Sequence, residues 1–206
     1  MPRSKSSSAW LARRARDPYV KRANKEGARS RAHFKLAEID ARDKLLRAGM
    51  TVVDLGAAPG GWSEYAAARV APGGRVVAVD LLPIAPIVGV EIIQGNIIDP
   101  EVLNFLESKL AGAADLVISD MAPNMTGIAL RDQALSAELA ELAVDFAEKR
   151  LRRGGVLVLK AFHGAGFDEL IGRLRRQFDK VATRKPGASR SESREIYLLA
   201  KGFKGA

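Results

Sequence analysis

The most informative part of this chain is the stretch Asp54-Leu55-Gly56-Ala57-Ala58-Pro59-Gly60-Gly61-Trp62. It follows the apolar run Thr51-Val52-Val53 and precedes the helix-like segment Ser63-Glu64-Tyr65-Ala66-Ala67-Ala68-Arg69-Val70. A buried strand therefore leads into a glycine-rich turn and a helix, which places backbone N–H groups and a helix N-terminus beside a ligand. Glycine is needed there because a Cβ atom would block the close approach or the positive φ angle. The turn predicts a site for a small nucleotide-like cofactor.

The bulk composition is that of one globular domain. The 206 residues are 47% apolar, which is enough for a domain of ordinary size with a full core. There is no run of about 18 apolar residues and no apolar segment after the first eight residues, so we expect neither a membrane span nor a secretory signal. The sequence therefore predicts a cytoplasmic protein with no membrane partner.

Metal and disulfide sites are disfavoured by composition. The chain has no cysteine, which excludes disulfides and thiolate metal sites. His33 and His163 are the two histidines, so a histidine metal cluster is not expected and no metal site is predicted.

The net charge of +9 is concentrated near the N-terminus. Residues 1–35 contain eleven Lys or Arg and two acidic residues, whereas the remaining residues contain 22 of each sign. Such a basic arm suits the phosphate backbone of a nucleic acid, although a solvated tail has the same composition. Trp10, Tyr19 and Phe34 lie among these charges and could either stack on bases or pack within the protein.

The N-terminal third predicts an arm followed by a helix. Residues 1–27 show no helical or strand periodicity, so we expect a flexible arm, or one that folds on RNA, before a domain of residues 28–206. Ser30 predicts the N-cap of a helix over residues 31–47 that Gly49 stops. Its apolar stripe consists of Ala32, Leu36, Ile39 and Leu46. Lys35 lies at the edge of this stripe and therefore faces inward or toward a cleft.

Strands and helices alternate after this helix. The predicted strands are 51–55, 75–80, 91–94, 115–119, 156–160, 180–184 and 195–200. The predicted helices lie near 62–70, 100–111, 130–153 and 166–178, with Gly154-Gly155 ending the third of them. Near-continuous apolar strands such as Val76-Val77-Ala78-Val79 are typical of a parallel sheet covered on both faces. The pattern predicts a doubly wound α/β fold with seven strands, the last two forming a hairpin at the sheet edge.

Polar residues follow the ends of these strands, where ligands bind in open α/β sheets. Asp54 could hold a cationic or hydroxyl-rich ligand. Asp80 stands 20 residues beyond Gly60, where an acid commonly accepts hydrogen bonds from a ribose, although it could also cap the strand end. Asn96 could pair with an adenine edge or serve only as a turn residue.

Two further ionisable residues stand beside buried strands. Lys160 follows the apolar run Val156-Leu157-Val158-Leu159, and burial there would favour the neutral amine, a plausible general base. Nearby carboxylates would favour the ammonium instead, and a lysine at a strand end commonly reaches the surface. Glu195 precedes the final apolar run and could be exposed or could orient a lysine across the sheet.

The chain resembles the FtsJ/RrmJ family of ribose 2′-O-methyltransferases from about residue 18 to the C-terminus. The resemblance is carried by Asp54–Trp62, Asp80-Leu81-Leu82-Pro83, Pro86-Ile87-Val88-Gly89-Val90, Ser119–Asn124, Gly166-Phe167-Asp168-Glu169 and Arg184-Lys185-Pro186, together with Lys35, Lys160 and Glu195. It implies a Rossmann-like, S-adenosylmethionine-dependent methyltransferase fold with a mostly parallel seven-stranded sheet and helices on both faces.

The resemblance also implies roles for individual residues. The Lys-Asp-Lys-Glu tetrad of the family falls on Lys35, Asp120, Lys160 and Glu195. The implied cofactor is S-adenosylmethionine, with a pocket formed by Gly60, Trp62, Asp80 at the ribose, Asn96 near the adenine and Asp120 near the methyl donor. Asn96 is a departure, because the family often has an Asp at this position.

The implied reaction is methylation of a ribose hydroxyl. Lys160 would take the proton, Asp120 and Glu195 would position the lysines, and Lys35 would hold the hydroxyl or stabilise negative charge. The implied partner is a uridine of 23S rRNA within the large ribosomal subunit or its late precursor, and no obligate protein partner is evident.

Three alternatives remain from the sequence. A tRNA or mRNA-cap 2′-O-methyltransferase would use the same chemistry. A nicotinamide-dependent oxidoreductase is disfavoured, because residues 56–61 do not supply the G-x-G-x-x-G spacing. A noncatalytic RNA-binding or ribosome-assembly factor would explain the basic arm without chemistry.

Overall fold

A computed structural model describes residues 17–110, 112–124, 126–164, 166–190 and 193–205 of the chain. Residues 1–16, which include Trp10 and most of the predicted arm, lie outside the described residues. Within the described part, no helix is both long enough and apolar enough to cross a membrane. The same part contains no group of three or more His, Asp or Glu residues placed to hold a metal ion.

One sheet of seven strands runs through the domain in the order β3-β2-β1-β4-β5-β7-β6. The strands are β1 (Thr51–Leu55), β2 (Arg75–Asp80), β3 (Val90–Gln94), β4 (Ala114–Ser119), β5 (Leu151–Phe162), β6 (Phe178–Arg184) and β7 (Glu195–Phe203). β1 to β5 pair in parallel, while β7 pairs antiparallel with both β5 and β6. The predicted seven-stranded, mostly parallel sheet and its terminal hairpin are therefore confirmed.

Helices cover both faces of this sheet. They are α1 (Pro18–Glu26), α2 (Ala32–Asp43), α3 (Gly61–Val70), α4 (Pro100–Leu110), α5 (Ala129–Arg150) and α6 (Phe167–Gln177). One hydrophobic core joins the sheet to α4, α5 and α6, and a second joins the opposite face to α2 and α3. Alternate strand residues feed the two cores, as in β1, where Val53 packs in the first and Val52 in the second. This arrangement is the doubly wound α/β fold that the sequence predicts.

Helix α1 corrects the prediction that residues 1–27 lack regular structure. The Asp17 side chain caps the helix by accepting from the N–H groups of Tyr19 and Val20, Pro18 begins it, and Gly27 ends it with φ 73°. The buried Ala23 packs against Phe34 and Ala188, so tertiary contacts add to these local caps in stabilising the helix. Tyr19 also packs on Phe34, with ring centroids 5.8 Å apart, so here these two aromatic residues serve packing.

Helix α2 is shorter than the predicted 31–47 and does not use Ser30 as its N-cap. Arg31 holds the cap position with no side-chain capping bond, and Lys44 leaves the helix in the left-handed region with φ 53°. The buried Asp40 carboxylate accepts from the N–H groups of Leu45 and Leu46, which satisfies the turn that ends the helix. This local capping stops α2 before Gly49.

The segment around Gly154-Gly155 is a strand, whereas the sequence predicted a helix to residue 153. Helix α5 ends at Arg150, and β5 begins at once with the buried Leu151, which pairs with Ala114. The register then shifts between Ala114 and Leu116, where Gly154 takes up φ 76°. Pairing with β4 keeps this segment in a strand. The two glycines mark an irregularity within the strand and not the end of a helix.

Candidate active site

The candidate site lies where the strand order reverses, between the carboxyl ends of β1 and β4. β2, the next strand in the chain, lies on one side of β1, and β4 lies on the other side. The chain segments that leave β1 and β4 therefore run to opposite sides, which opens a crevice between the two strand ends. The glycine turn after β1 enters this crevice and ends at Gly60, the N-cap of α3, with φ 102°. Gly56 also has positive φ, and a Cβ there would lie 3.1 Å from the Met121 backbone. Both positions therefore require glycine.

A cleft lies beside this turn, where the sequence predicts the cofactor site. Its lining consists of Ser30, Ala32, Asp54, Gly56, Ala57, Ala58, Pro59, Gly61, Trp62 and Asp120. Trp62, predicted to line the pocket, is held by a bond of 2.7 Å from its Nε1 to the Ala32 carbonyl. Gly60 lies in the turn, but Ile87 and Ile84 cover it.

Asp54 is a buried carboxyl in the wall of this cleft. Ser63 Oγ donates to its Oδ2 at 2.6 Å, while Oδ1 has no hydrogen-bond partner among the described residues. Burial raises the pKa of Asp54 to about 7, with further contributions from the charges of Asp120 and Asp80, against the Ser63 hydrogen bonds. The free oxygen is an acceptor that a ligand could satisfy.

Asp80 holds the turn in place. Its Oδ2 accepts from the Ala58 N–H and its Oδ1 from the Leu82 N–H, both at 2.8 Å. Each carboxylate oxygen can accept a second hydrogen bond, so these contacts leave capacity for a ribose. Asn96 follows β3 and accepts from the Ile98 N–H at 3.3 Å, which is a turn contact. The adenine role of Asn96 stays a prediction.

The four residues predicted as a tetrad come together around Asp120, which lines the cleft. Lys160 Nζ donates to the Asp120 carbonyl at 2.6 Å and to Asp120 Oδ1 at 3.0 Å. Lys35 Nζ lies 2.9 Å from Glu195 Oε1 and 3.9 Å from Asp120 Oδ1. They come from α2, the end of β4, β5 and the start of β7, which are far apart in the chain.

Tyr197 joins these residues and was missed by the sequence reasoning. Its fully buried hydroxyl donates to Asp120 Oδ1 at 2.7 Å and accepts from Lys35 Nζ at 2.9 Å. Its ring packs against Trp62, with centroids 5.5 Å apart, and so links the site to the cofactor cleft. The two-residue period of a strand could have identified it. Residues two apart on β7 share a face, and Tyr197 stands two residues beyond Glu195.

The electrostatics of this cluster keep both carboxyls ionised. Burial opposes ionisation of Asp120, but the charges of Lys160 and Lys35 and a hydrogen bond from Tyr197 outweigh it and lower the pKa of Asp120. Burial is likewise outweighed at Glu195, where Lys35 lowers the pKa. Burial and the two neighbouring carboxylates raise the pKa of Tyr197 well above its usual value, so the phenol stays protonated and donates.

Comparison with known proteins places this chain in a family. The model of the FtsJ-like methyltransferase family matches residues 28–203 of the chain. The chain belongs to this family. The resemblance predicted from the sequence is therefore confirmed.

The sequences of individual relatives align with this FtsJ-like methyltransferase along nearly its whole length. The ribosomal RNA large subunit methyltransferase E of Thiobacillus denitrificans is 54% identical over 97% of this chain and 91% of its own length. The protein of the same name from Marinobacter nauticus is 53% identical over the full length of both. A Plasmodium falciparum crystal structure described as a ribosomal RNA methyltransferase matches with a TM-score of 0.76 and 31% identity, covering 86% of this chain and all of that one.

Proposed function

We propose that this FtsJ-like methyltransferase transfers a methyl group from S-adenosylmethionine to the 2′-hydroxyl of a uridine ribose in 23S rRNA of the large ribosomal subunit. The observation that carries the proposal is the convergence of Lys160, Asp120, Lys35 and Glu195 beside the glycine-turn cleft. The names of the relatives support the coarser statement that the enzyme methylates ribosomal RNA. The 2′-hydroxyl and the uridine come from the family resemblance.

The cleft residues fit an S-adenosylmethionine molecule. The unpartnered Oδ1 of Asp54 suits a cationic group, and the Asp80 carboxylate retains acceptor capacity for ribose hydroxyls. Trp62 adds an apolar surface, and the α3 N-terminus adds backbone donors. When bound, the cofactor supplies a methyl group already activated by its sulfonium, so the protein must position the acceptor and remove one proton.

Lys160 is the proposed general base. An amine nitrogen bonded to Cε has three remaining positions, and Lys160 uses two of them for the Asp120 carbonyl and carboxylate. The third is left for the ribose hydroxyl, a poor nucleophile until its proton is taken. Asp120 thus fixes the direction of Lys160, and positioning of this kind supplies a large part of a rate enhancement.

Lys35 is better placed to stabilise charge than to act as the base. Its ammonium donates to Tyr197 and faces Glu195, and Asp120 lies on a third side at 3.9 Å. Two of its three donors thus face protein groups within hydrogen-bond range, while Asp120 is an ion-pair neighbour beyond that range. The positive charge of Lys35 beside Asp120 can still stabilise negative charge that develops on the ribose oxygen.

Charge supports a large RNA as the acceptor. The eleven basic residues of the first 35 give this region the whole net charge of the chain, and Lys21, Arg22 and Lys25 lie exposed on α1. α1 packs on α2, which carries Lys35, so these cations lie on a helix next to the proposed site and could contact RNA phosphates. A cytoplasmic location and the absence of an obligate protein partner stay predictions from the sequence.

The test is methyl transfer to large-subunit particles that lack the modification. We expect Lys160→Ala to abolish transfer of labelled methyl groups while S-adenosylmethionine binding by calorimetry stays near that of the parent enzyme. Lys180→Ala removes an exposed lysine of β6 and serves as the matched control with full activity. Equal transfer by the parent and Lys160→Ala proteins would reject the assignment of the base.

Mapping the product decides among the alternative substrates. Mass analysis of ribose methylation in RNA from cells with and without the protein should show one uridine of 23S rRNA that loses its methyl group. A lost methyl group in tRNA or in an mRNA cap would reject the rRNA substrate. Ribosome assembly that proceeds normally with Lys160→Ala, but fails without the protein, would indicate an added noncatalytic role.

A further inference from the structure

The loop of residues 81–89, between β2 and β3, lies over the glycine turn. A Cβ at Gly60 would lie 2.6 Å from Ile87 Cδ1 and 3.2 Å from Ile84 Cγ2, so these two side chains rest on the turn. Other apolar side chains of the loop point to solvent, and Leu81 and Val88 are 65% and 97% exposed. Apolar burial therefore holds the loop weakly, and polar contacts must supply much of its order.

Arg29 supplies those contacts. Its Nη1 donates to the Ala85 carbonyl at 2.9 Å and its Nη2 to the Pro86 carbonyl at 2.5 Å. Its Nε lies 3.5 Å from Glu64 Oε1, and its backbone N–H donates to Glu64 Oε2. Glu64 belongs to the first turn of α3. One guanidinium thus ties the loop to the helix that begins at the glycine turn.

We propose that Arg29 is a positioning residue for the cofactor, which braces the 81–89 loop against the glycine turn. The loop begins next to Asp80, whose carboxylate holds Ala58 of the turn, so loop and turn are also joined at this end. Arg29 directly precedes Ser30, which lines the cleft. The inference rests on the proposed function, because it assigns S-adenosylmethionine to this cleft.

The two carbonyl contacts call for a guanidinium. Its planar fork can donate to two adjacent carbonyls at once, whereas a lysine ammonium is a point charge that cannot hold both in the same geometry. Without the brace, the loop gains conformational freedom that cofactor binding must remove again. The affinity for the cofactor should therefore fall by about tenfold, within the usual range for coupling between an ordered segment and a site.

The experiment compares S-adenosylmethionine binding and steady-state kinetics of the full-length parent protein with Arg29→Ala, Arg29→Lys and Arg29→Gln. We expect Arg29→Ala to raise the Kd and the cofactor KM by about tenfold, with kcat at saturating cofactor within about twofold of the parent. Arg29→Gln should behave like Arg29→Ala, and Arg29→Lys should recover only part of the lost cofactor affinity. Arg175→Ala removes an exposed cation in the last turn of α6 and should leave cofactor affinity unchanged.

A second measurement follows the loop itself in the cofactor-free protein. Amide hydrogen exchange in residues 81–89 should be faster in Arg29→Ala than in the parent, while exchange in the β1 core stays the same. Unchanged exchange would overturn the brace, as would a Kd within about twofold of the parent or full recovery by Arg29→Lys. A rise confined to the RNA KM would assign Arg29 to RNA instead. Failure of the parent protein to bind S-adenosylmethionine would reject the proposed function, and the exchange data would still test the brace.

Discussion

The Tyr197 hydroxyl donates a 2.7 Å hydrogen bond to Asp120 Oδ1, the same oxygen that Lys160 Nζ contacts at 3.0 Å. Lys35 donates to the phenol oxygen in turn, so a single direction of donation runs from Lys35 through Tyr197 to Asp120. A partly buried carboxylate with two donors on one oxygen is held firmly in place. The orientation of Lys160, the proposed base, therefore depends on Asp120 and on the tyrosine that holds it.

Replacement of Tyr197 by phenylalanine tests this dependence. Tyr197→Phe removes the donor to Asp120 and the acceptor for Lys35, so we expect kcat to fall by about 10- to 100-fold because the base is less well positioned. The free energy of unfolding should fall by about 1–3 kcal/mol, since buried hydrogen bonds are lost. Single-turnover methyl transfer and urea denaturation measure the two effects.

Tyr65→Phe is the matched control for this variant. Tyr65 is also buried and donates its hydroxyl hydrogen bond to Asp40 at 3.0 Å, away from the tetrad. Its loss should reduce stability and leave kcat unchanged. A similar fall in kcat for both variants would mean that general loosening, and not the position of Asp120, causes the effect.

Asp54 predicts an unusual dependence of stability on pH. Its pKa of about 7 in the folded protein exceeds the usual 3.8, so between these values the folded state holds a proton that the unfolded state releases. This group therefore destabilises the fold progressively as pH rises from about 4 to 7, by at most about 4 kcal/mol. Urea denaturation at pH 5 and pH 8 should show that Asp54→Asn becomes more stable relative to the parent at the higher pH. Parallel pH profiles would contradict the prediction.

The Asp54 carboxyl should also make cofactor binding depend on pH, because it should release a proton when the cofactor binds. A cationic ligand beside Asp54 favours the carboxylate, so binding near pH 6 should release a proton and weaken as pH falls below 7. Calorimetry in two buffers with different ionisation enthalpies measures the proton release. Asp54→Asn should abolish it, and equal release from both proteins would point to another group.

Glu38 should be needed to dock α1. Its carboxylate accepts from the Tyr19 hydroxyl at 3.2 Å and the Gly187 N–H at 2.5 Å, which joins α1, α2 and the loop after β6. We expect Glu38→Ala to lower the free energy of unfolding by about 1–2 kcal/mol and to speed tryptic cleavage within α1. Glu26→Ala, which breaks an exposed pair with Arg22, should cost less than about 0.5 kcal/mol. Equal stability of the two variants would argue against this docking role.

The basic arm should govern the salt dependence of RNA binding. Residues 1–16 contain five Lys or Arg, and their deletion leaves α1 intact. If all five contact phosphates, the slope of log affinity against log salt should decrease in magnitude by about 4, with cofactor affinity unchanged. Filter binding to rRNA across a salt series provides the measurement. An unchanged slope would remove the arm from the RNA interface.

Most of the fold could be read from local patterns. β1 and β2 were predicted to the residue, because an apolar run bounded by a glycine turn leaves little choice of strand limits. The errors have two causes. β5 begins at Leu151 because it pairs with β4 across an irregularity, which is a contact between distant segments. The start of α1 and the end of α2 are set by local caps at Asp17 and Asp40 that the sequence interpretation did not use.

Short-range patterns predict the parallel sheet and the glycine turn, and the family resemblance predicts the residue types of the tetrad. Which donors meet which acceptors follows from the packing of distant elements. It brings Lys35 and Tyr197 together across 162 positions of the chain, and it sets Arg29 against the carbonyls of Ala85 and Pro86. Hydrogen bonds need contact within about 3 Å, and only the packing of distant elements fixes such distances.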